Sequence, residues 1–110
     1  MQEVQPMVAV NVVVLAGTIS ADPVRRRMPS GDEVTELRLS IPETGKRHLP
    51  LPVAVWHTAD GAHAVEKIEK GDEVLVHGHL VRRFYRSGAG ARSLTEVVAS
   101  GVKKLDKIAS

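Results

Sequence analysis

Arg82, Arg83 and Arg86 stand in one run with Phe84 and Tyr85, and Arg25, Arg26 and Arg27 form an unbroken triplet ahead of Met28-Pro29-Ser30-Gly31. Trp56 is the only other aromatic residue in the chain. Guanidinium groups offer paired donors to phosphate oxygens. Aromatic faces accept flat rings, at about 1–3 kcal/mol per stacked base. Cations interleaved with rings are thus suited to hold a flexible polyanion that carries exposed bases. The competing reading for Trp56 and Phe84 is that they are core, and composition favours that reading for Phe84.

Other chemistries find less support. With no cysteine, thiolate catalysis, disulfides and cysteine–zinc sites are excluded. No phosphate-cradling glycine loop, HExxH pair or nucleophile elbow is present. An enzyme is not expected, and neither is a cofactor. His77 and His79 flank Gly78, and residues two apart on a strand share a face, so both imidazoles could reach one metal. No acid or third ligand stands nearby to complete a tetrahedral set, so no metal site is expected there, nor at His48, His57 or His63.

The elements that position these residues belong to a chain of 110 residues, 43% hydrophobic and 25% charged, with a formal charge of +2. That length fits one domain, 1–110, with frayed ends at about 1–6 and 106–110. The apolar run Val8 to Gly17 is too short to span a bilayer, and its flank is not basic like that of a signal peptide. A cytoplasmic location is expected, since the lack of cysteine agrees with a reducing compartment. Basic residues dominate from Arg82 to Lys107, whereas acids dominate from Asp60 to Glu73.

The rhythm along the chain is that of strands. Val8 to Ile19 reads as a long buried strand. Val34 to Ile41 alternates, with Leu37, Leu39 and Ile41 on one face and Glu36, Arg38 and Ser40 on the other. Pro50 and Pro52 make the next strand an edge or bulged one before Val53 to Trp56. Ala59 to Lys70 reads as the single helix, capped by Thr58 or Asp60 and ended by Gly71, with Ala64, Val65 and Ile68 as its apolar stripe. Asp72 to Tyr85 is a long strand with a bend or bulge at Gly78. One of Phe84 and Tyr85 should face the core and the other solvent. "RSGAGARS" reads as a flexible loop, and Leu94 onward as the last strand. Three strands, a helix and two strands fit an all-β, five-stranded OB-fold barrel with one short helix between strands 3 and 4.

Several motifs in this order resemble the bacterial single-stranded-DNA-binding protein (SSB) family. "NVVVLAGTISADPVRRRMPSGDEVTELRLSI" is similar to that family's opening. "VAVWHTADGAHAVEKIEKGDEVLVHGHLVRRFY" is similar to its central strand, helix and Gly-x-Leu strand, and "RSLTEVVASGVKKL" to its last strand. The resemblance spans about Asn11 to Leu105. It implies that Trp56 and Tyr85 stack bases and that Arg25 to Arg27 lie on a basic first hairpin. It also implies that Arg82, Arg83 and Arg86 line the path of the strand. Arg38, Lys46, Arg47 and Arg92 complete the candidate set. Family members are commonly homotetramers whose first strands pair, which the apolar Val8 to Leu15 would suit. A tetramer is favoured and a dimer is possible.

The resemblance also has departures. "PETGKRH" is short and lacks aromatics, and "LPLP" stands where the family often has a stacking tryptophan. The chain ends in "KKLDKIAS" without an acidic tip, so tail-mediated recruitment of proteins is not expected. The opening is similar as well to primosomal replication protein N, and a primosome-type or protein-interaction OB module with weak nucleic-acid binding stands as the alternative. The arginine triplet alternates sides if extended, so at most two of its members can face one ligand.

Overall fold

A computed structural model describes residues 8–43, 45, 47–57 and 67–106. They form six strands: β1 (Val13–Ile19), β2 (Val24–Arg27), β3 (Glu33–Pro42), β4 (His48–Trp56), β5 (Glu73–Ser87) and β6 (Gly90–Lys104). The expected count was five. The extra strand is β2, the arginine triplet itself, which pairs with β3 across the Met28–Gly31 turn, where Gly31 N–H donates to the Met28 carbonyl at 2.8 Å. All described residues are strand or irregular. Most of the expected helix, residues 59–66, lies outside them, and its described end, Lys67–Lys70, is not helical. Ile68 nonetheless reaches the core.

The sheet order is β1-β5-β6-β4-β3-β2, and β1 also pairs with β3 through Thr18↔Ser40 and Ile19↔Leu39. Pairing is antiparallel except where β4 meets β6, through Val53↔Val97 and Ala54↔Val98. Gly17 lets β1 turn from β5 toward β3, because a Cβ there would sit 2.5 Å from the Ser40 carbonyl oxygen. Gly78 marks the expected irregularity. The β5–β6 register shifts between His77 and Gly78, and a Cβ on Gly78 would collide with the Val98 carbonyl.

Alternation places one side of this sheet inside. Ile19, Leu37, Leu39, Val53, Val55, Val74, Val76, Val97 and Val102 form the buried cluster, with Ile41 packed against it. Each fully buried aliphatic side chain contributes on the order of 1.5–3 kcal/mol. The two prolines stand within β4, two residues apart and opposite Ser40 and Arg38 of β3. Their missing donors therefore point to one side, where β6 pairs only with Val53 and Ala54.

Two expectations about length are corrected. β1 begins at Val13 instead of Val8, and Val8, Val10, Val12 and Val14 are exposed, from 90% at Val8 to 64% at Val14. A continuous apolar run was read as burial within this chain, but nothing in the described chain covers that side. "RSGAGARS" is not a loop. β5 and β6 continue through it as a ladder from Val74↔Lys104 to Ser87↔Gly90, turning at Gly88-Ala89. The outer half of this ribbon extends past the core.

Candidate nucleic-acid interface

Residues directly opposite in neighbouring strands share a face. The registers therefore join Arg26 and Val24 on β2 to Glu36 and Arg38 on β3. They continue to Trp56 and Pro52 on β4, to Glu96, Leu94 and Arg92 on β6, and to Arg83 and Tyr85 on β5. This outer face is hollowed into a cleft of about 450 Å³, whose lining includes Arg26, Glu36, Arg38, Pro50, Leu94 and Glu96.

Its charges are largely paired. Arg26 Nε lies 3.3 Å from Glu36 Oε2. Arg83 Nε lies 2.6 Å from Glu96 Oε1, and Glu96 is almost wholly buried, its side chain 8% exposed. The Arg83 guanidinium carbon also lies over the Trp56 ring, 5.9 Å from its centroid, within the range of a cation–π contact. Among the described residues, Glu96 Oε1 accepts no aligned hydrogen bond, so the Arg83 charge is what compensates it. Arg38 is exposed on the same face and forms no ion pair with any described residue.

Arg25 and Arg27 point away from Arg26, as alternation requires. Arg27 Nη2 donates to Glu33 Oε1 at 3.1 Å. Arg25 Nη2 stands 3.3 Å from His57 Nδ1, and the other ring nitrogen of His57 is 2.5 Å from the hydroxyl of the buried Thr35. The Arg27 hydrogen bond, with the positive charges of Arg25 and Arg27, holds the Glu33 carboxyl below its ordinary pKa of 4.5.

Phe84 and Tyr85 were expected to divide between core and solvent, yet both are exposed, at 75% and 48%. At this point the ribbon has left the core, so alternation sorts them between two open faces. Tyr85 shares the cleft face with Arg83 and, across the ladder, with Arg92. Phe84 shares the opposite face with Arg82 and Arg86, so the basic run does not line a single path. Arg47 is exposed between β3 and β4, whereas Lys46 lies outside the described residues. Reading the sequence missed Glu96 and favoured the core for Phe84. The lack of any aliphatic residue from Arg82 to Arg86 was the available signal that this segment leaves the core. His77 and His79 belong to no cluster, since no group of three or more His, Asp or Glu side chains that could hold a metal occurs among the described residues.

The described residues form one sheet that carries cations and rings on its outer face. The chain belongs to the single-strand binding protein family, whose model matches residues 10–105. Among curated relatives, it is 36% identical to the single-stranded DNA-binding protein of Corynebacterium glutamicum, over 82% of this chain and 44% of that one. It is 30% identical to that of Deinococcus radiodurans, over 88% and 35%, and 32% identical to that of Rhizobium meliloti, over 84% and 59%. The chain thus spans roughly a third to three fifths of these relatives' length. The fold resembles that of the Plasmodium falciparum SSB in its complex with ssDNA, with a TM-score of 0.76 at 20% identity, over 93% of this chain and 100% of that one.

Proposed function

We propose that this protein binds single-stranded DNA without strong sequence preference, with bases on its rings and phosphates on its arginines. One observation carries the reading: strand register gathers Arg38, Trp56, Arg83, Tyr85 and Arg92, from four strands, onto one grooved face. Stacking platforms beside cations suit a single strand, whose bases are accessible, better than a duplex. The curated relatives' names and the neighbour's bound ssDNA point the same way. Arg38, Arg92, Arg82, Arg86 and Arg47 are the phosphate contacts of this reading, and Arg25 to Arg27 with Lys46 extend it at the hairpin and loop. The pairing of β1 with both β5 and β3 supports a closed OB barrel formed by β1, β5, β6, β4 and β3. Replication, recombination and repair are the processes that use such a protein, on the bacterial nucleoid.

The exposed valines from Val8 to Val14 support self-association through this edge, as a tetramer or a dimer. Light scattering should show an oligomer, and Val10→Asp with Val14→Asp should reduce it to monomer.

Titration with labelled oligo-dT, with duplex as control, tests the reading. Four to six neutralised phosphates should give a log K against log salt slope of about −3 to −4, at near −0.7 per contact. Binding without salt dependence, or equal binding of duplex, overturns it. The alternative, a protein-interaction module, has one observation in its favour: Phe84 is exposed on the face away from the cleft. A partner held through Phe84 and indifferent to oligonucleotide would establish it.

A further inference from the structure

The cleft is poorly suited to phosphate in one respect. Glu36 and Glu96 stand in its lining, each within 3.3 Å of an arginine nitrogen. Arg83 is the most tightly held of these cations. Its Nε is 2.6 Å from a carboxylate that is nearly all buried, its guanidinium lies over Trp56, and 40% of its side chain is still open to solvent. Moving Arg83 out to a phosphate would leave the Glu96 carboxylate buried without its counter-charge, a cost that the exposed Arg38, with no described ion-pair partner, would not incur. A base cannot reach the covered face of Trp56 while Arg83 stays.

We propose that Arg83 is a base-stacking platform and not a phosphate contact, with Trp56 beneath it and Glu96 as the positioning residue that holds it flat. A guanidinium is planar, weakly hydrated and able to stack on a ring while keeping a carboxylate partner. The open side of Arg83 then receives the base, and the acids in the cleft keep phosphates at the rim, near Arg38 and Arg92.

The inference rests on the single-strand reading, and the test separates the two. Oligo-dT affinity is measured across a salt series for the wild-type protein, Arg83→Lys, the pair Arg83→Gln with Glu96→Gln, and Arg38→Ala. Lysine keeps the charge and can keep the pair with Glu96, but has no flat face. The double glutamine variant removes both charges together, so that no buried charge is left alone. Arg83→Lys should bind about fivefold or more weakly with its salt slope unchanged. The double variant should also keep the slope, while Arg38→Ala should make it shallower by about 0.7. Arg83→Lys within twofold of wild type, or a double variant with a slope shallower by about 0.7, would show a phosphate contact and overturn the inference while leaving single-strand binding intact. Failure of the wild-type protein to bind oligo-dT would remove both readings.

Discussion

The two faces of the β5–β6 ribbon carry nearly the same residue types and are held very differently. On the cleft face, Arg83 is fixed by Trp56 and the buried Glu96, and Tyr85 and Arg92 stand opposite each other on the same face. On the opposite face, Arg82, Phe84 and Arg86 are exposed, and neither arginine pairs with any described acid. Composition alone would treat them as one basic–aromatic patch. The difference is one of preorganisation: an anchored cation has already lost its rotamer freedom and can present a surface, whereas a free one is a long-range charge. The cleft face should therefore control how a strand is seated, and the opposite face should add attraction with little shape.

The comparison breaks most completely if the ribbon is not formed. Gly78→Val puts a branched side chain where even a Cβ meets the Val98 carbonyl, and should cost about 3 kcal/mol or more of stability. Thermal melting checks this, and a melting temperature equal to wild type would show that the β5–β6 register can shift to absorb it.

Next in size is a stability difference between neighbouring arginines. Arg83→Ala orphans the buried carboxylate and should destabilise by about 2 kcal/mol, below the usual range for buried pairs because Arg83 is partly exposed. Arg82→Ala should change stability by less than about 0.5 kcal/mol. Denaturant melts of the two variants side by side give the answer, and equal losses would mean that Glu96 finds another partner.

Affinity should divide in the same way. Trp56→Ala removes the base of the platform and should weaken oligo-dT binding by about 1–3 kcal/mol, while Phe84→Ala should cost less than about 0.5 kcal/mol. A larger loss at Phe84 would mean that the strand wraps both faces of the ribbon.

The smallest effect lies at the β2–β3 hairpin. Because the Glu33 pKa is lowered in the folded chain, its contribution to stability is present above the ordinary value of 4.5 and is lost as pH falls through the lowered one. Glu33→Gln should therefore lower stability slightly at pH 7, where the contribution is present, and flatten the acid limb, so that the two proteins converge once pH has fallen below the lowered value. An unchanged acid limb would show that the Arg27–Glu33 contact does not persist in solution.

Much of the frame could be read along the chain. Leu37, Leu39 and Ile41 reach the core because a strand sends alternate side chains to one face, and that period is local. Gly78 was identifiable as an irregular point, and Pro50 and Pro52 as a strand with one side unpaired, because both follow from backbone chemistry. The interface was partly legible. Trp56, Tyr85 and Arg83 were candidates by type, and the structure brings them onto one face. Arg82 and Arg86 were candidates by the same argument and lie on the other. Composition and alternation favoured the core for Phe84 because both assume that the strand still lies against the core there, and the exposed valines from Val8 to Val14 were read as buried because an apolar run does not reveal what covers it.

The sequence by itself determined the alternation within β3, the turn at Met28–Gly31 and the irregular point at Gly78, since periodicity and turn geometry act over a few neighbouring residues. Only the tertiary structure decided that Glu96 would pair with Arg83, that Arg83 would stand over Trp56, and that the basic run would divide between two faces. Those contacts depend on the register between strands distant in the chain. A shift of one residue moves every side chain to the other face, and the register is set by how the whole core packs.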